Sequence, residues 1–270
     1  MGKIVIERKF MKKILYQSFI ELTNKPFTSK LIERFSCSPF SRKFIRSYAK
    51  IYNVKQEEMS KKLSEYGTLH ELFTRKLKDQ ARPFSLQKEV IISPVDGEIE
   101  QYGTLTNKTE MIVKEKPYSV KELVGNEYEL QKYIGGTYFI LYLSPSDYHR
   151  IHSPADANII KTWTLGNKSY PVNQLGLKYG KAPLVKNYRK LTELAYNEHR
   201  FLLVKVGAMF VNSITMTHDE KSINKGDEIA YFSFGSTVIL LFEKDSFVTD
   251  ESIQKGQKVK VGQTLGRFQS

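Results

Sequence analysis

The sequence has one cysteine, Cys37, and only five histidines among its 270 residues. A single cysteine cannot form an internal disulfide, so the fold does not depend on oxidation. The scarcity of both residue types also excludes a Cys/His-rich zinc module. No apolar run reaches the roughly 18–20 residues that a membrane-spanning helix requires. Hydrophobic residues at 40% and charged residues at 26% are typical of a globular chain and exclude wholesale disorder.

The N-terminus also lacks the features of a secretory signal. Its apolar stretch, residues 14–20, is interrupted by Gln17 and Ser18, and no small-residue cleavage site follows. We therefore expect the protein to remain in the cytoplasm.

Acidic side chains are scarce in the first third of the chain. Residues 1–90 carry 20 basic and 9 acidic side chains, a net charge of +11, whereas residues 91–270 carry 22 and 20. A positive field concentrated in this way predicts an anionic partner, either nucleic acid or an acidic membrane surface. The alternative is a basic surface that only serves solubility.

Residues 1–80 have the periodicity of helices. Between Arg8 and Leu22, apolar residues recur every three or four positions, and basic residues occupy the other face of the first two turns. This pattern fits a basic amphipathic helix lying on an anionic bilayer. The alternative is a helix that packs on the core of the protein and keeps its basic face in water.

Three further helices are predicted before residue 83. One starts at Ser41 as N-cap and runs to Ile51, and another covers residues 56–63. The last begins with a capping box at residues 68–71, continues to Leu77, and ends before Ala81-Arg82-Pro83.

After about residue 90 the apolar runs become short, β-branched and aromatic, which predicts a domain of many strands. The clearest runs are Tyr138–Leu143, Phe201–Val206, Phe210–Met216 and Thr237–Phe242. The segment 222–226 recurs as 252–256, which two similar hairpins would explain. Such Lys-Gly turns also occur in biotinyl and lipoyl carrier modules, so a non-catalytic β-module with a basic membrane anchor is an alternative.

Three short segments could carry chemistry. Residues 93–97 hold Asp96 before a glycine, residues 147–154 hold His149 and His152, and residues 234–237 hold a Gly235-Ser236 bond. Each has a plain structural reading: a turn, a strand end, and a tight turn between strands. Read chemically, the hydroxyl of Ser236 could attack the unhindered carbonyl of Gly235 if a histidine acts as base. The two histidines suit acid–base chemistry better than metal binding, because no third ligand cluster is evident.

Together, in this order, the three segments resemble phosphatidylserine decarboxylase proenzymes. The similarity extends over most of residues 65–245, and residues 1–60 match only in being helical and basic. The supporting segments are Phe73–Leu77, Ala81–Pro83, Leu143–Pro145, Pro171–Asn173, Asn197-Glu198 and Val206–Ala208.

The resemblance implies self-cleavage between Gly235 and Ser236 through a relay of Asp96, His152 and Ser236. A large chain of residues 1–235 and a small chain of residues 236–270 would form a heterodimer. Ser236 would become a pyruvoyl group that forms the Schiff base with the substrate. His149 would donate a proton or position the substrate. Because the prosthetic group comes from the chain itself, no added cofactor and no metal is implied.

The implied reaction converts phosphatidylserine to phosphatidylethanolamine and carbon dioxide in phospholipid biosynthesis. The implied partners are the substrate and an anionic phospholipid membrane, at whose cytoplasmic face the enzyme would be peripheral. Nucleic acid is then not expected as a partner, and further homo-oligomerisation stays open. The expected fold is α+β. Residues 1–85 would form a basic helical, membrane-associating region, and residues 86–270 a mainly antiparallel β barrel or sandwich that is catalytic.

Overall fold

The structure is a computed structural model that describes residues 26–106, 110–208, 214–233 and 236–269. The helix predicted over residues 8–22 lies outside these ranges. Among the described residues, no helix is both long and apolar enough to span a bilayer.

Residues 26–80, here called the helical region, form short helices around a small core. Its elements are α1 (Pro26–Cys37), a 3₁₀ helix (Pro39–Phe44), α2 (Ile45–Ile51), two 3₁₀ turns (Gln56–Glu58 and Leu63–Glu65) and α3 (Leu69–Phe73). The capping prediction is confirmed at α3, where the Thr68 hydroxyl accepts a hydrogen bond from Glu71 N at 3.1 Å.

Three boundary predictions in this region were wrong. Ser41 is not an N-cap but lies inside a 3₁₀ helix, where its hydroxyl donates to the Ser36 carbonyl at 2.9 Å. The helix expected over residues 56–63 is replaced by short turns, and α3 ends before Leu77. An antiparallel bridge between Met59 and Leu77 explains both, because it holds the two segments extended.

The β region, residues 90–269, holds sixteen described strands and four short helices. The strands are β1 (Val90–Ile92), β2 (Gly97–Thr104), β3 (Glu110–Val113), β4 (Lys116–Ser119), β5 (Thr137–Leu143), β6 (Arg150–His152), β7 (Ala157–Leu165), β8 (Arg189–Tyr196), β9 (His199–Gly207), β10 (Ile214–Met216), β11 (Ser222–Ile223), β12 (Glu228–Phe232), β13 (Ser236–Phe242), β14 (Phe247–Thr249), β15 (Lys258–Val259) and β16 (Thr264–Phe268). The helices are α4 (Val120–Val124), α5 (Glu127–Gln131), α6 (Gln174–Tyr179) and α7 (Pro183–Lys186).

An eight-stranded sheet with the order β11-β7-β8-β9-β13-β5-β2-β15 organises this region, and its strands pair antiparallel. The central strand β13 is buried along its whole length. Val238 and Leu240 face one apolar core, whereas Ile239 and Leu241 face a second core on the opposite side of the sheet. The α+β, mainly antiparallel fold is confirmed; no closed barrel forms among the described strands, and a sandwich is compatible with their sheets.

The sequence repeat corresponds to a repeated turn. In both copies the glycine, Gly226 or Gly256, has a left-handed backbone, with φ of +86° and +82°. The residue after each glycine donates its backbone amide to a carbonyl three residues earlier, from Asp227 to Asn224 at 3.1 Å and from Gln257 to Gln254 at 3.2 Å.

Candidate active site

Two segments of the form Ser-Pro-x-Asp, residues 93–96 and 153–156, cross in the β region. In each, the serine hydroxyl donates to the carbonyl two residues on, at 2.7 Å. The residue before each segment donates its amide to the proline carbonyl of the other: His152 to Pro94 at 2.8 Å, and Ile92 to Pro154 at 3.0 Å. This crossing brings Asp96 and His152, which are distant in sequence, into one neighbourhood.

The two aspartates of these segments have equivalent structural roles. Oδ1 of Asp96 accepts from Val261 N at 2.9 Å, and Oδ1 of Asp156 accepts from Lys225 N at 2.8 Å. Both amides immediately precede a glycine with positive φ. Asp156 is therefore a natural control for what Asp96 does beyond stabilising a turn.

Asp96 differs from Asp156 in having an arginine partner. Arg82 donates to its two carboxylate oxygens from Nε at 2.9 Å and from Nη2 at 2.5 Å. The same Nη2 lies 2.7 Å from Glu58 Oε2, so Arg82 links the helical region to the β region. A bidentate pair of this kind fixes the orientation of the Asp96 carboxylate.

His152 is held in one tautomer. Its Nδ1 lies 2.6 Å from the Gly226 carbonyl and must donate, so Nε2 is the acceptor for the Tyr148 hydroxyl at 3.1 Å. Burial lowers the pKa of His152, which favours the neutral ring, while the Gly226 carbonyl and the negative charges of Glu228 and Asp96 act in the opposite direction. No hydrogen bond joins Asp96 to His152 in the described residues. The relay stays a prediction.

His149 is fully buried and also neutral. Its Nδ1 donates to the Asp147 carbonyl at 2.9 Å, and its ring packs against Phe73 with centroids 3.9 Å apart. Burial, aided by the positive charge of Arg75, lowers the pKa of His149 to about 3. Its Nε2 is consequently a bare acceptor with no partner among the described residues.

Ser236 is the first residue of β13, where it pairs with Leu143 and Gly207 on the flanking strands. Its side chain is fully buried, and the hydroxyl has no hydrogen-bond partner in the described part of the chain. Phe232 N donates to the His149 carbonyl at 3.1 Å, so the segment from Leu143 to His149 contacts both Phe232 and Ser236. Gly235, the other half of the predicted cleavage site, lies outside the described residues.

A cleft of about 450 Å³ opens beside Asp96 and Tyr148. Arg75 and Arg82 line it, and neither was singled out as a site residue from the sequence. The available signal was their place in the family-like segments Phe73–Leu77 and Ala81–Pro83, which does not reveal what each arginine binds. Lys55 and Lys258 add further positive charge to the walls of the cleft.

In the described ranges, no three His, Cys, Asp or Glu side chains are grouped so that they could hold a metal ion. Among the described residues, the Ser236 hydroxyl is buried and has no hydrogen-bond partner, and neither has the Nε2 atom of His149 on the adjoining segment.

Comparison with known proteins identifies the family. The family model for phosphatidylserine decarboxylase matches residues 69–267. Proteins named phosphatidylserine decarboxylase proenzyme are similar over nearly their whole length. The one from Anoxybacillus flavithermus is 57% identical over 95% of this chain and 97% of its own, and that from Geobacillus kaustophilus is 54% identical over the same shares. The one from Bacillus thuringiensis strain Al Hakam is 49% identical over 94% and 97%. The chain therefore belongs to the phosphatidylserine decarboxylase family and is an enzyme, a carboxy-lyase.

Proposed function

We propose that the chain cuts itself between Gly235 and Ser236 and then decarboxylates phosphatidylserine to phosphatidylethanolamine. The observation that carries the proposal is the buried hydroxyl of Ser236, which has no hydrogen-bond partner among the residues that the structure describes. An orphaned buried hydroxyl costs free energy and is a reason to look for a reactive role. The name proenzyme, borne by the similar proteins, supports processing of the same kind.

The cleavage chemistry needs only groups of the chain and water. Ser236 Oγ would attack the Gly235 carbonyl carbon, the peptide C–N bond would break, and the amine would take the proton, which leaves an ester. Removal of the Cα proton of Ser236 then expels the Gly235 carboxylate and leaves a carbon–carbon double bond. Hydrolysis of the resulting enamine releases ammonia and leaves a pyruvoyl group at residue 236.

His152 is suited to act as the base in this sequence. In the neutral ring, Nε2 carries the lone pair. That lone pair accepts a hydrogen bond from the Tyr148 hydroxyl, whose O–H bond can rotate away from it. Asp96 would stabilise the protonated ring through its charge, in the orientation that Arg82 imposes.

In decarboxylation, a pyruvoyl group supplies an electrophilic carbonyl that takes up the electrons released as carbon dioxide leaves. The position of Ser236, buried against Leu143 and Gly207, would exclude water from that carbonyl. His149 would hold a substrate N–H or O–H at its bare Nε2, or accept a proton there, since its ring is neutral.

Denaturing electrophoresis and mass spectrometry test the proposal. The purified enzyme should separate into chains of 235 and 35 residues, the small one beginning with a pyruvoyl group and lacking a free amine. Ser236→Ala should remain a single chain. A wild-type protein that stays full length and inactive would instead favour the non-catalytic β-module of carrier-like topology.

The relay can be tested with a matched pair of aspartate variants. Asp96→Asn and Asp156→Asn each weaken one equivalent hydrogen bond to a turn amide. If the charge of Asp96 serves His152, only Asp96→Asn should slow self-cleavage, and His152→Ala should abolish it. Equal effects of the two asparagine variants would reduce Asp96 to a turn residue. His149→Ala should cleave and lose decarboxylation; failure to cleave would reverse the two histidine roles.

We also propose that the enzyme is peripheral on the cytoplasmic face of an anionic membrane. Support in the described residues comes from an exposed aromatic surface formed by Leu31, Phe35, Phe40 and Phe44. The three phenylalanine rings touch one another, with centroids 5.7–6.2 Å apart. Exposed apolar rings grouped in this way mark an interaction site. The Lys43 ammonium group lies 4.8 Å from the centroid of the Phe40 ring, and Arg34, Arg42 and Arg46 are close to the rings in sequence.

Vesicle flotation tests this surface. Phe40→Ser with Phe44→Ser should weaken binding to vesicles that contain phosphatidylserine, whereas Leu86→Ser, which removes another exposed apolar side chain, should not. Binding that is unchanged in the double variant would refute the surface. Salt-sensitive binding to duplex DNA without flotation would instead show that the basic N-terminal third serves nucleic acid.

A further inference from the structure

The segment from Ser144 to Arg150, which carries His149, is held from outside by the helical region. The Tyr48 hydroxyl donates to the Pro145 carbonyl at 2.9 Å, and Arg150 Nε donates to the Thr74 carbonyl at 2.9 Å. Between these two contacts, Arg75 Nη2 donates to the carbonyls of Ser146 and Asp147 at 2.7 and 2.9 Å. The backbone before His149 is thus fixed mainly by Arg75.

Arg75 is an unusual residue to use as a backbone clamp. Its surface is only 4% exposed, and its hydrogen bonds to the described residues go to main-chain carbonyls, with a third, long one of 3.4 Å to Leu72. No carboxylate in the described ranges forms an ion pair with it, and its Nε has no partner. Burying a charge without a counter-ion is costly, so fixing a loop would be served as well by a neutral donor. A role for the charge itself accounts for the arginine.

The Asp147 carbonyl connects Arg75 to His149. This one oxygen accepts both Arg75 Nη2 and His149 Nδ1, each at 2.9 Å. Because the carbonyl accepts a hydrogen bond from Nδ1, the ring proton must be on Nδ1, and the other ring nitrogen keeps its lone pair. The orientation of the carbonyl, set by Arg75, therefore decides that Nε2 is the bare nitrogen.

The other charged groups near His149 are already engaged. The Asp147 carboxylate accepts from Ser144 N at 2.7 Å, and Arg150 pairs with Glu228 at 2.6 Å. Phe73, on the opposite side of the ring, is uncharged. Arg75 is left as the charged side chain that acts on His149, and its positive charge opposes protonation of the ring.

We propose that Arg75 is a positioning residue for decarboxylation, which orients the Asp147 carbonyl and thereby holds His149 neutral with Nε2 free. The inference rests on the proposed function of His149. It separates the two chemical steps of the enzyme, since Arg75 would serve decarboxylation and not the earlier self-cleavage.

Two substitutions divide the geometric effect of Arg75 from its charge. Arg75→Lys keeps the charge but loses the planar guanidinium group whose Nη2 donates to the Ser146 and Asp147 carbonyls, and Arg75→Gln loses both the group and the charge. In both variants kcat should fall by about tenfold to a hundredfold, with KM near the wild-type value, because both lose the alignment of His149. Both should still separate into two chains, which also shows that they fold.

A second measurement follows the ring directly. In the full-length Ser236→Ala chain with labelled histidine, NMR titration should show that Arg75→Gln raises the pKa of His149, because the opposing charge has gone. Arg75→Lys should leave that pKa close to the original. The acid limb of the pH–rate profile should move upward in Arg75→Gln by a similar amount.

Tyr48→Phe is the matched control, because it releases the same segment at Pro145 without touching the Asp147 carbonyl. Its effect on kcat should be much smaller than that of Arg75→Lys. The proposal is overturned if Arg75→Lys retains wild-type kcat, or if Tyr48→Phe is as damaging. Should Arg75→Gln fail to fold, the lysine variant still decides. An inactive wild-type enzyme would instead refute the proposed function.

Discussion

The helical region and the β region are built on different principles. Twenty-five described residues form the apolar core on one face of the large sheet and twenty-two form the core on the other, whereas the core of the helical region has six. The described phenylalanine rings of the β region are buried, such as Phe242 against Phe247 with centroids 4.1 Å apart. The helical region leaves Phe40 and Phe44 in solvent, 56% and 43% exposed.

The difference shows that the helical region contributes little buried apolar core and acts mainly through contacts at its surface. Its links to the β region include polar groups, among them the Tyr48 hydroxyl and the guanidinium groups of Arg75 and Arg82. Each ends on the His149 segment or on Asp96. This region therefore exposes aromatic rings to solvent and also contacts the residues proposed for catalysis.

The two regions should differ most in how much an aromatic ring contributes to the free energy of unfolding. Phe242→Ala should lower the free energy of unfolding by about 3–5 kcal/mol, because it leaves a cavity between stacked rings. Phe40→Ala, at an exposed ring, should change it by no more than about 0.5 kcal/mol. Urea denaturation of both variants in the uncleaved Ser236→Ala chain measures the difference. Similar losses would mean that the aromatic surface is part of a core.

An intermediate effect on stability is expected from His149, which lies where the two regions meet. Its pKa of about 3 in the folded chain is below the value of about 6.5 expected when unfolded, so the unfolded chain binds the additional proton between these pH values. Stability should therefore fall on acidification through that window, by up to about 1.4 kcal/mol per pH unit from this group. Urea denaturation from pH 7 to 4 should show a steeper loss in Ser236→Ala than in Ser236→Ala with His149→Gln. Parallel curves would contradict a neutral, buried ring.

The two regions also differ in how far the sequence predicts them. Short β-branched runs predicted strands such as β5, β9 and β13, because alternation and burial are local signals that the sheet reinforces. In the helical region only the capping box at Thr68 located a helix start correctly. The pairing of Met59 with Leu77 overrode local helix propensity, and nothing in either segment alone announces it.

For the site, the sequence identified the residues by family likeness and missed their partners. The Ser-Pro-x-Asp repeat at residues 93–96 and 153–156 is visible in the sequence, yet its crossing could be recognised only from long-range hydrogen bonds. That Asp96 bonds to Arg82, and that one carbonyl joins Arg75 to His149, depends on the three-dimensional arrangement of distant segments. Tautomers follow from those partners and have no sequence signature.

A smaller effect on stability is expected inside the β region, because its interior is not wholly apolar. Lys205 on β9 is fully buried, and its Nζ donates to the Thr192 hydroxyl at 2.6 Å. Burial, with a smaller effect from Lys190, lowers the pKa of Lys205 to about 7. Thr192 keeps a second neighbour, the Thr162 hydroxyl at 3.3 Å, so removing the amine need not orphan it.

Lys205→Met should therefore raise the unfolding free energy near pH 6 by about 1 kcal/mol, since it removes the cost of a buried ammonium group. The unfolded lysine holds its proton up to a pH of about 10.4, so between about pH 7 and 10 the unfolded wild-type chain binds more protons than the folded one. Wild-type stability gains a contribution from Lys205 as pH rises through that range, and the Met variant lacks it. The gain is up to about 1.4 kcal/mol per pH unit, so urea denaturation at pH 6, 8 and 9.5 should show the difference between the two proteins closing and then reversing. If the gap between them stays constant, Lys205 keeps an ordinary pKa, and this part of the sheet interior is open to water.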